Sequence, residues 1–204
     1  YPMKKVIGIT GGIASGKSNV CRILKSEGYL VIDADEIYTK LSLPGGLCYQ
    51  AILAAFGSDY INKDGTIAKK KLGQLIFHHE AARLKLNAVT HPLIQAEITR
   101  QIALTDEPIV FVDIPLLYEA GFTALCDRVI VVYLDRERQI KRLMERDHID
   151  RDYALVKIDS QMDLNEKKDL ADYVIDSSGS FEQTQQQVKK LIKQIKEKEN
   201  GSDY

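Results

Sequence analysis

Residues 11–18 read Gly11-Gly12-Ile13-Ala14-Ser15-Gly16-Lys17-Ser18, a full match to G-x-x-x-x-G-K-[ST]. A loop of this kind is useful between a strand and the helix it feeds. There its glycines let backbone N–H groups turn inward around phosphate oxygens. Lys17 brings a point charge that reaches the β and γ phosphates, and the Ser18 hydroxyl can ligate a magnesium ion. The flanks agree with that placement. Met3-Lys4-Lys5-Val6-Ile7-Gly8-Ile9-Thr10 reads as a short apolar strand, and 18–27 as a helix with Val20, Ile23 and Leu24 on one side. The positive end of that helix points at the phosphates. The segment therefore predicts binding of a nucleoside triphosphate.

The 204 residues suffice for one domain, or for one core carrying a small insertion. Apolar residues make up 45% and charged residues 28%, a balance that suits a soluble globular chain with a real core. A formal net charge of −1 gives no overall field toward nucleic acid or an anionic membrane, and neither is expected as a partner. No apolar run approaches the roughly 18 residues that span a bilayer. Tyr1-Pro2 ahead of Met3 is read as a cloning remnant, and the first strand begins too early to leave room for a signal peptide. Cys21, Cys48 and Cys126 are odd in number and widely spaced. They suit reduced core residues of a cytoplasmic protein better than metal ligands or disulfides. A monomer is the expectation, with an oligomer left open.

Strand-like segments recur at 5–10, 29–33, 108–114, 128–134 and 172–175. Most are continuous Val/Ile-rich runs, the pattern of parallel strands covered on both faces. Helical patterns separate them, so the rhythm predicts an α/β doubly wound sheet of five parallel strands. The interval 38–107 breaks that rhythm. It carries helix-like stretches at 47–56, 69–79 and 92–104, the last opening on Pro92, a residue suited to a first helical position. We read 38–107 as a helical, substrate-binding insertion, and 3–37 with 108–204 as the nucleotide-binding core. Within that core, about 136–168 is dense in charge and is read as a helical lid. Arg142 and Arg146 lie four apart on one helical face and suit closure on phosphates. Arg136, Arg138 and Lys141 read as a solvated face laced with pairs such as Glu137–Lys141. The stretch 188–198 is an amphipathic closing helix.

The second strand ends on Asp33-Ala34-Asp35. Carboxyl ends of strands line the ligand crevice of an open α/β sheet, so at least one of these carboxylates is expected to face the γ phosphate. Phosphoryl transfer to an alcohol needs a group that orients the hydroxyl and takes its proton. Asp33 and Asp35 share a face if the strand stays regular, and Asp35 is favoured as the catalytic carboxylate. Asp35 also suits a helix N-cap before Glu36-Ile37-Tyr38, so one Asp can cap while the other works. Val110-Phe111-Val112-Asp113 has the shape of a magnesium-holding strand end, with local hydrogen bonding of Asp113 as the plain alternative. His91, held extended before Pro92, reads as a cap-region residue. His78-His79 and His148 lack metal-site spacing and are given no role.

Taken together, these residues resemble the dephospho-CoA kinase family over nearly the whole chain, from Ile7 to about Leu191. The run from Gly8 through Ser18, Asp33-Ala34-Asp35, His91-Pro92, Pro115-Leu116-Leu117-Tyr118-Glu119 and Cys126-Asp127-Arg128 fall in the family's order. Arg142, Arg146-Asp147, Ser160-Gln161, Lys167 and Ala171 through Asp176 follow. The resemblance implies a P-loop kinase that uses ATP and Mg2+ to phosphorylate the ribose 3′-hydroxyl of dephospho-CoA. Asp35 would be the base, with Lys17, Arg142 and Arg146 as the catalytic cations. Gly12, Ile13, Ala14, Ser15, Gly16, Lys17, Ser18 and Asn19 would hold ATP, and Ser18 with Asp113 the metal. Lys69, His91, Leu117 and Glu119 would join Asp35 in binding the substrate, and the segment after Ile175 would lie near the adenine. Some positions depart from the family's habit. Thr39, with Lys40 beside it, replaces a basic residue, and Lys69 and Lys157 replace arginines, keeping charge but losing the bidentate fork. Ala14 replaces a common glycine, which suits a position without positive φ. The rival readings are a nucleoside or nucleotide kinase of the same architecture and, from another class, a nucleotide-driven switch. No water-positioning residue or switch loop speaks for the second.

Overall fold

The computed structural model describes residues 4–201; Tyr1-Pro2 and the expected strand start at Met3 lie outside them. In chain order the elements are β1 (Lys5–Gly11), α1 (Lys17–Ser26), β2 (Leu30–Asp33), α2 (Ala34–Leu41), α3 (Leu47–Phe56), α4 (Lys69–His78) and α5 (Glu80–Leu104). Then come β3 (Ile109–Asp113), β4 (Arg128–Tyr133), α6 (Arg136–Asp147), α7 (Arg151–Asp159), α8 (Leu164–Leu170), β5 (Tyr173–Asp176) and α9 (Phe181–Gly201). The sheet runs β2-β3-β1-β4-β5, with β1 parallel to β3 and β4, and β4 parallel to β5. It is the five-stranded parallel α/β sheet that the rhythm predicts.

Alternation along the strands fills one core. Ile7 and Ile9 of β1, Ile109 and Phe111 of β3, and Ile130 and Val132 of β4 are buried with Val20, Ile23 and Leu24 of α1. Val188, Leu191, Ile192 and Ile195 of α9 close the same cluster. Two aspartates set the register at strand starts. Asp127, just before β4, accepts from the Val6 N–H at 2.8 Å, and Asp172, just before β5, accepts from the Val129 N–H at 2.8 Å. Each satisfies an edge donor that burial would otherwise strand. Among the described residues no helix is long and apolar enough to cross a membrane.

The chain divides into two compact units, one running through Ile32 and resuming at Glu107, the other Asp33–Asp106. In the second unit α2, α3 and α4 all pack on α5. Its core is small. Ile52, Ile67, Leu72 and Leu86 are buried, and half-buried Tyr38, Tyr49, Phe56 and Tyr60 pack around them. The helix expected to open at Pro92 instead begins at Glu80 and carries Pro92 inside it. An interior proline loses one backbone hydrogen bond and crowds the preceding turn, at a cost of about 3 kcal/mol. The burial of Leu86, Ile94 and Ile98 along the same helix opposes that cost. His91 is therefore a mid-helix residue, not a cap.

In the first unit, Ile140, Leu143, Ala154 and Ile158 of α6 and α7 form a separate cluster, and Ile13 and Ala14 pack against it. The pair expected between Glu137 and Lys141 is replaced. Glu137 accepts both guanidinium arms of Arg151, at 2.9 and 3.1 Å, which ties α6 to the start of α7. Arg136 pairs with Asp159 at 2.9 Å and Arg138 with Asp135 at 2.7 Å.

Candidate active site

The P-loop leaves β1 at its carboxyl end, where Gly11 lies opposite Val132 of β4 and Ile9 opposite Asp113 of β3. The turn closes on itself: the Gly12 N–H donates to Ser15 Oγ and the Ser15 N–H to the Gly12 carbonyl, both at 3.1 Å. Gly16 caps α1 with φ of +93°. A Cβ there would be strained by that φ and would meet Ser177 at 3.0 Å. No side chain caps the first turn of α1 and no acidic residue lies in it, so its free N–H groups and dipole are open to an anion. Ala14 has φ of +58°, contrary to the expectation that this position avoids the left-handed region. An alanine there is strained by roughly 1–2 kcal/mol, and its methyl packs on the α6–α7 cluster in partial compensation.

Lys17 and Ser18 open α1. Ser18 is exposed, while the Lys17 ammonium pairs with the carboxylate of Asp113, whose side chain is 11% exposed. The Cys21 thiol lies 3.6 Å from the same carboxylate, and burial, with the Asp113 charge adding to it, pushes its pKa to about 12. Among the described residues no cluster of three or more His, Cys, Asp or Glu could hold a metal by itself. A magnesium ion here would take most of its oxygen ligands from nucleotide and water. Asn19 lies inside α1, with its N–H on the Gly16 carbonyl at 3.1 Å.

Side chains from beyond β4 surround the loop. Arg142 donates to the Ser177 carbonyl at 2.9 Å, and one guanidinium nitrogen lies 3.5 Å from where a Gly16 Cβ would stand. Ser177, just past β5, donates its hydroxyl to the Ser15 carbonyl at 2.5 Å. Gln139 donates to the Ile13 carbonyl at 2.8 Å, and Gln161 accepts from the Ile13 N–H at 3.0 Å. Arg146 is not drawn to the loop; it pairs with neighbouring Asp147 at 2.9 Å. Two residues expected to bind substrate are otherwise engaged. Leu117 is wholly buried against Gly8, where a Cβ would meet its Cδ1 at 2.6 Å, so it has no surface to offer. Glu119 pairs with Lys167 at 2.9 Å and accepts from the Met162 N–H at 3.3 Å.

In the helical unit, β2 ends at Asp33 and α2 begins at once, so strand alternation never reaches Asp35. Asp33 is the N-cap, accepting from the N–H groups of Asp35 and Glu36 at 2.9 and 3.1 Å. That leaves the Asp35 carboxylate outside the capping role, exposed in the first turn of α2. Lys69 is exposed at the start of α4, ahead of Lys70 and Lys71, in a first turn with neither a side-chain cap nor an acidic residue. His91 is half-buried, and burial lowers its pKa below 6.5.

Gln139 had no role assigned from sequence, Gln161 and Lys167 entered only as part of the family pattern, and Ser177 only within the segment expected near the adenine, yet all four hold the loop. A clue existed for two of them. Gln139 precedes Ile140 on the buried face of α6, and Lys167 lies three residues after buried Leu164 in α8. A polar residue on an apolar helix face asks for a partner.

The comparisons with known proteins point one way. A family model described as dephospho-CoA kinase matches residues 5–183. A dephospho-CoA kinase of Carboxydothermus hydrogenoformans is 46% identical over 197 residues, covering 95% of this chain and 96% of that protein. The solved dephospho-CoA kinase from Campylobacter jejuni is 34% identical with a TM-score of 0.70, covering 95% and 98% of the two chains. The crystal structure of TT1252 from Thermus thermophilus, 28% identical with the same coverage, gives a TM-score of 0.83. With this loop, this sheet and these relatives, the chain belongs to the dephospho-CoA kinase family.

Proposed function

We propose that the protein transfers the γ-phosphoryl group of ATP to the ribose 3′-hydroxyl of dephospho-CoA, giving coenzyme A and ADP. The observation that carries the reading is the preassembled P-loop, with left-handed Gly16, an uncapped α1 and Arg142 beside it. In the step, the bond from the γ phosphorus to the β–γ bridging oxygen breaks and a bond to the acceptor oxygen forms. The acceptor proton passes to the Asp35 carboxylate, which lies exposed in the first turn of α2 while Asp33 takes the cap. Lys17 and Arg142 stabilise the charge that develops on the transferring group. Arg146 would add to them by trading Asp147 for phosphate oxygens. Lys69, at an uncapped helix start rich in lysine, suits the anionic groups of dephospho-CoA, and neutral His91 suits a hydrogen bond to it.

Ser18 and Asp113 fit a magnesium ion held mainly by the nucleotide, since both carry oxygen donors, Ser18 exposed at the start of α1 and Asp113 at the end of β3 beside Lys17. Bound there, the ion would neutralise charge on the β and γ oxygens. An ATP-dependent reaction and three unpaired cysteines suit a monomer working in the cytoplasm.

A nucleoside or nucleotide kinase would share the phosphate chemistry and differ only in the acceptor. An acceptor screen with ATP and magnesium, with phosphorus NMR of the product, tests the reading. Dephospho-CoA should be the preferred acceptor, phosphorylated at the 3′ position. A preference for nucleosides or nucleoside monophosphates would overturn it.

A further inference from the structure

Lys167 in α8 has 0% of its side chain exposed. An ammonium carries three N–H donors and is rarely buried unless all are used. Here three oxygens surround it: the Gly11 carbonyl at 2.9 Å, the Glu119 carboxylate at 2.9 Å and the Pro115 carbonyl at 3.5 Å. They belong to separate pieces of the chain. Gly11 is the last residue of β1, Pro115 follows β3, and Glu119 lies in the turn beyond it. The Thr10 hydroxyl also donates to the Pro115 carbonyl, at 2.9 Å, so the two segments are tied twice.

The carbonyl that Lys167 grips has a consequence. The Gly11 C=O and the Gly12 N–H share one planar peptide, so holding the first fixes the direction of the second. That N–H donates to Ser15 Oγ, and the Ser15 N–H returns to the Gly12 carbonyl. The orientation of one peptide is thus passed into the turn that wraps the phosphates. Glu119 extends the hold to a third piece, because it also accepts from Met162, next to the Gln161 that accepts from Ile13.

We propose that Lys167, with Glu119 as its counter-ion, is a positioning residue for phosphoryl transfer that sets the Gly11–Gly12 peptide, and hence the phosphate-binding turn, without touching nucleotide. The proposal rests on the kinase reading above and reassigns Glu119 from substrate contact to the loop's support. The test uses Lys167→Met, Lys167→Arg and Glu119→Gln in the full-length protein. Thermal denaturation, ADP affinity by calorimetry and steady-state kinetics with each substrate varied are the readouts. In Lys167→Met, ADP affinity should fall and the KM for ATP rise by at least about tenfold, with the KM for dephospho-CoA changed much less. Lys167→Arg should recover part of the loss, and Glu119→Gln should shift ATP in the same direction by less. A lower Tm with unchanged ADP affinity and KM for ATP would make Lys167 a core residue only and overturn the proposal. A raised KM for dephospho-CoA alone in Glu119→Gln would restore that residue to the substrate and overturn it too. If Lys167→Met does not fold, unchanged ATP parameters in both milder variants overturn it. ADP affinity needs no acceptor, so this result is independent of the acceptor screen.

Discussion

On the proposed reading the P-loop works through backbone N–H groups, and the loop is braced from several directions. Gln139, Gln161, Arg142, Lys167 and Ser177 all reach in from parts of the chain beyond β4. In the helical unit the groups proposed to work are the side chains of Asp35 and Lys69, both exposed, and of half-buried His91. That unit carries a cluster of four buried residues rimmed by half-buried aromatics. The contrast separates two ways of holding a reactant. A triphosphate has the same shape in every cell, and a rigid backbone cradle suits it. A larger acceptor, on the proposed reading, would be met by side chains.

The contrast is sharpest in the two catalytic assignments. Asp35→Asn should lower kcat by about 10²–10⁴-fold while ADP affinity stays near normal. Lys17→Ala should lower kcat by at least about 10²–10³-fold and weaken ADP as well. Calorimetry beside turnover separates them, and equal damage to ADP binding in both variants would break the comparison. Ala14→Gly probes the rigid side with a smaller effect. Relief of the positive φ should raise stability by at most about 1 kcal/mol, read by thermal denaturation, because the lost methyl gives up packing on the α6–α7 cluster. A clear fall in Tm would mean that the methyl's packing outweighs the strain.

The smallest effect belongs to His91. Burial holds its folded pKa below the 6.5 of a free imidazole, so the unfolded chain takes up the proton first as pH falls. Its contribution to stability is full above about pH 6.5 and declines as pH drops through the interval down to the folded value. Comparing the pH dependence of Tm in the parent and in His91→Gln should show a shallower slope in the variant below pH 6.5. Identical slopes would remove His91 from the account.

Legibility in the sequence followed the range of the forces involved. The P-loop, its strand and its helix are specified within one short segment, and α3 ends where its local pattern ends. Pro92 misled because the packing that carries it inside α5 comes from residues on other helices, which no local window contains. Asp33 and Asp35 differed for a local reason that was visible but undecided: the helix starts one residue after Asp33, which gives the cap to the first and leaves the second in the first turn. The contacts of Lys167 and Gln139 were not legible because their partners are 156 and 126 residues away along the chain. Ala14 shows a further limit, since a backbone angle is not spelled by the residue that endures it.

The pairing of Lys17 with the almost enclosed Asp113 gives that ammonium a counter-charge of its own, which phosphate oxygens must share or displace. A lone phosphate or sulfate ion must compete with that internal anion and offers little in exchange, whereas a triphosphate engages the whole turn at once.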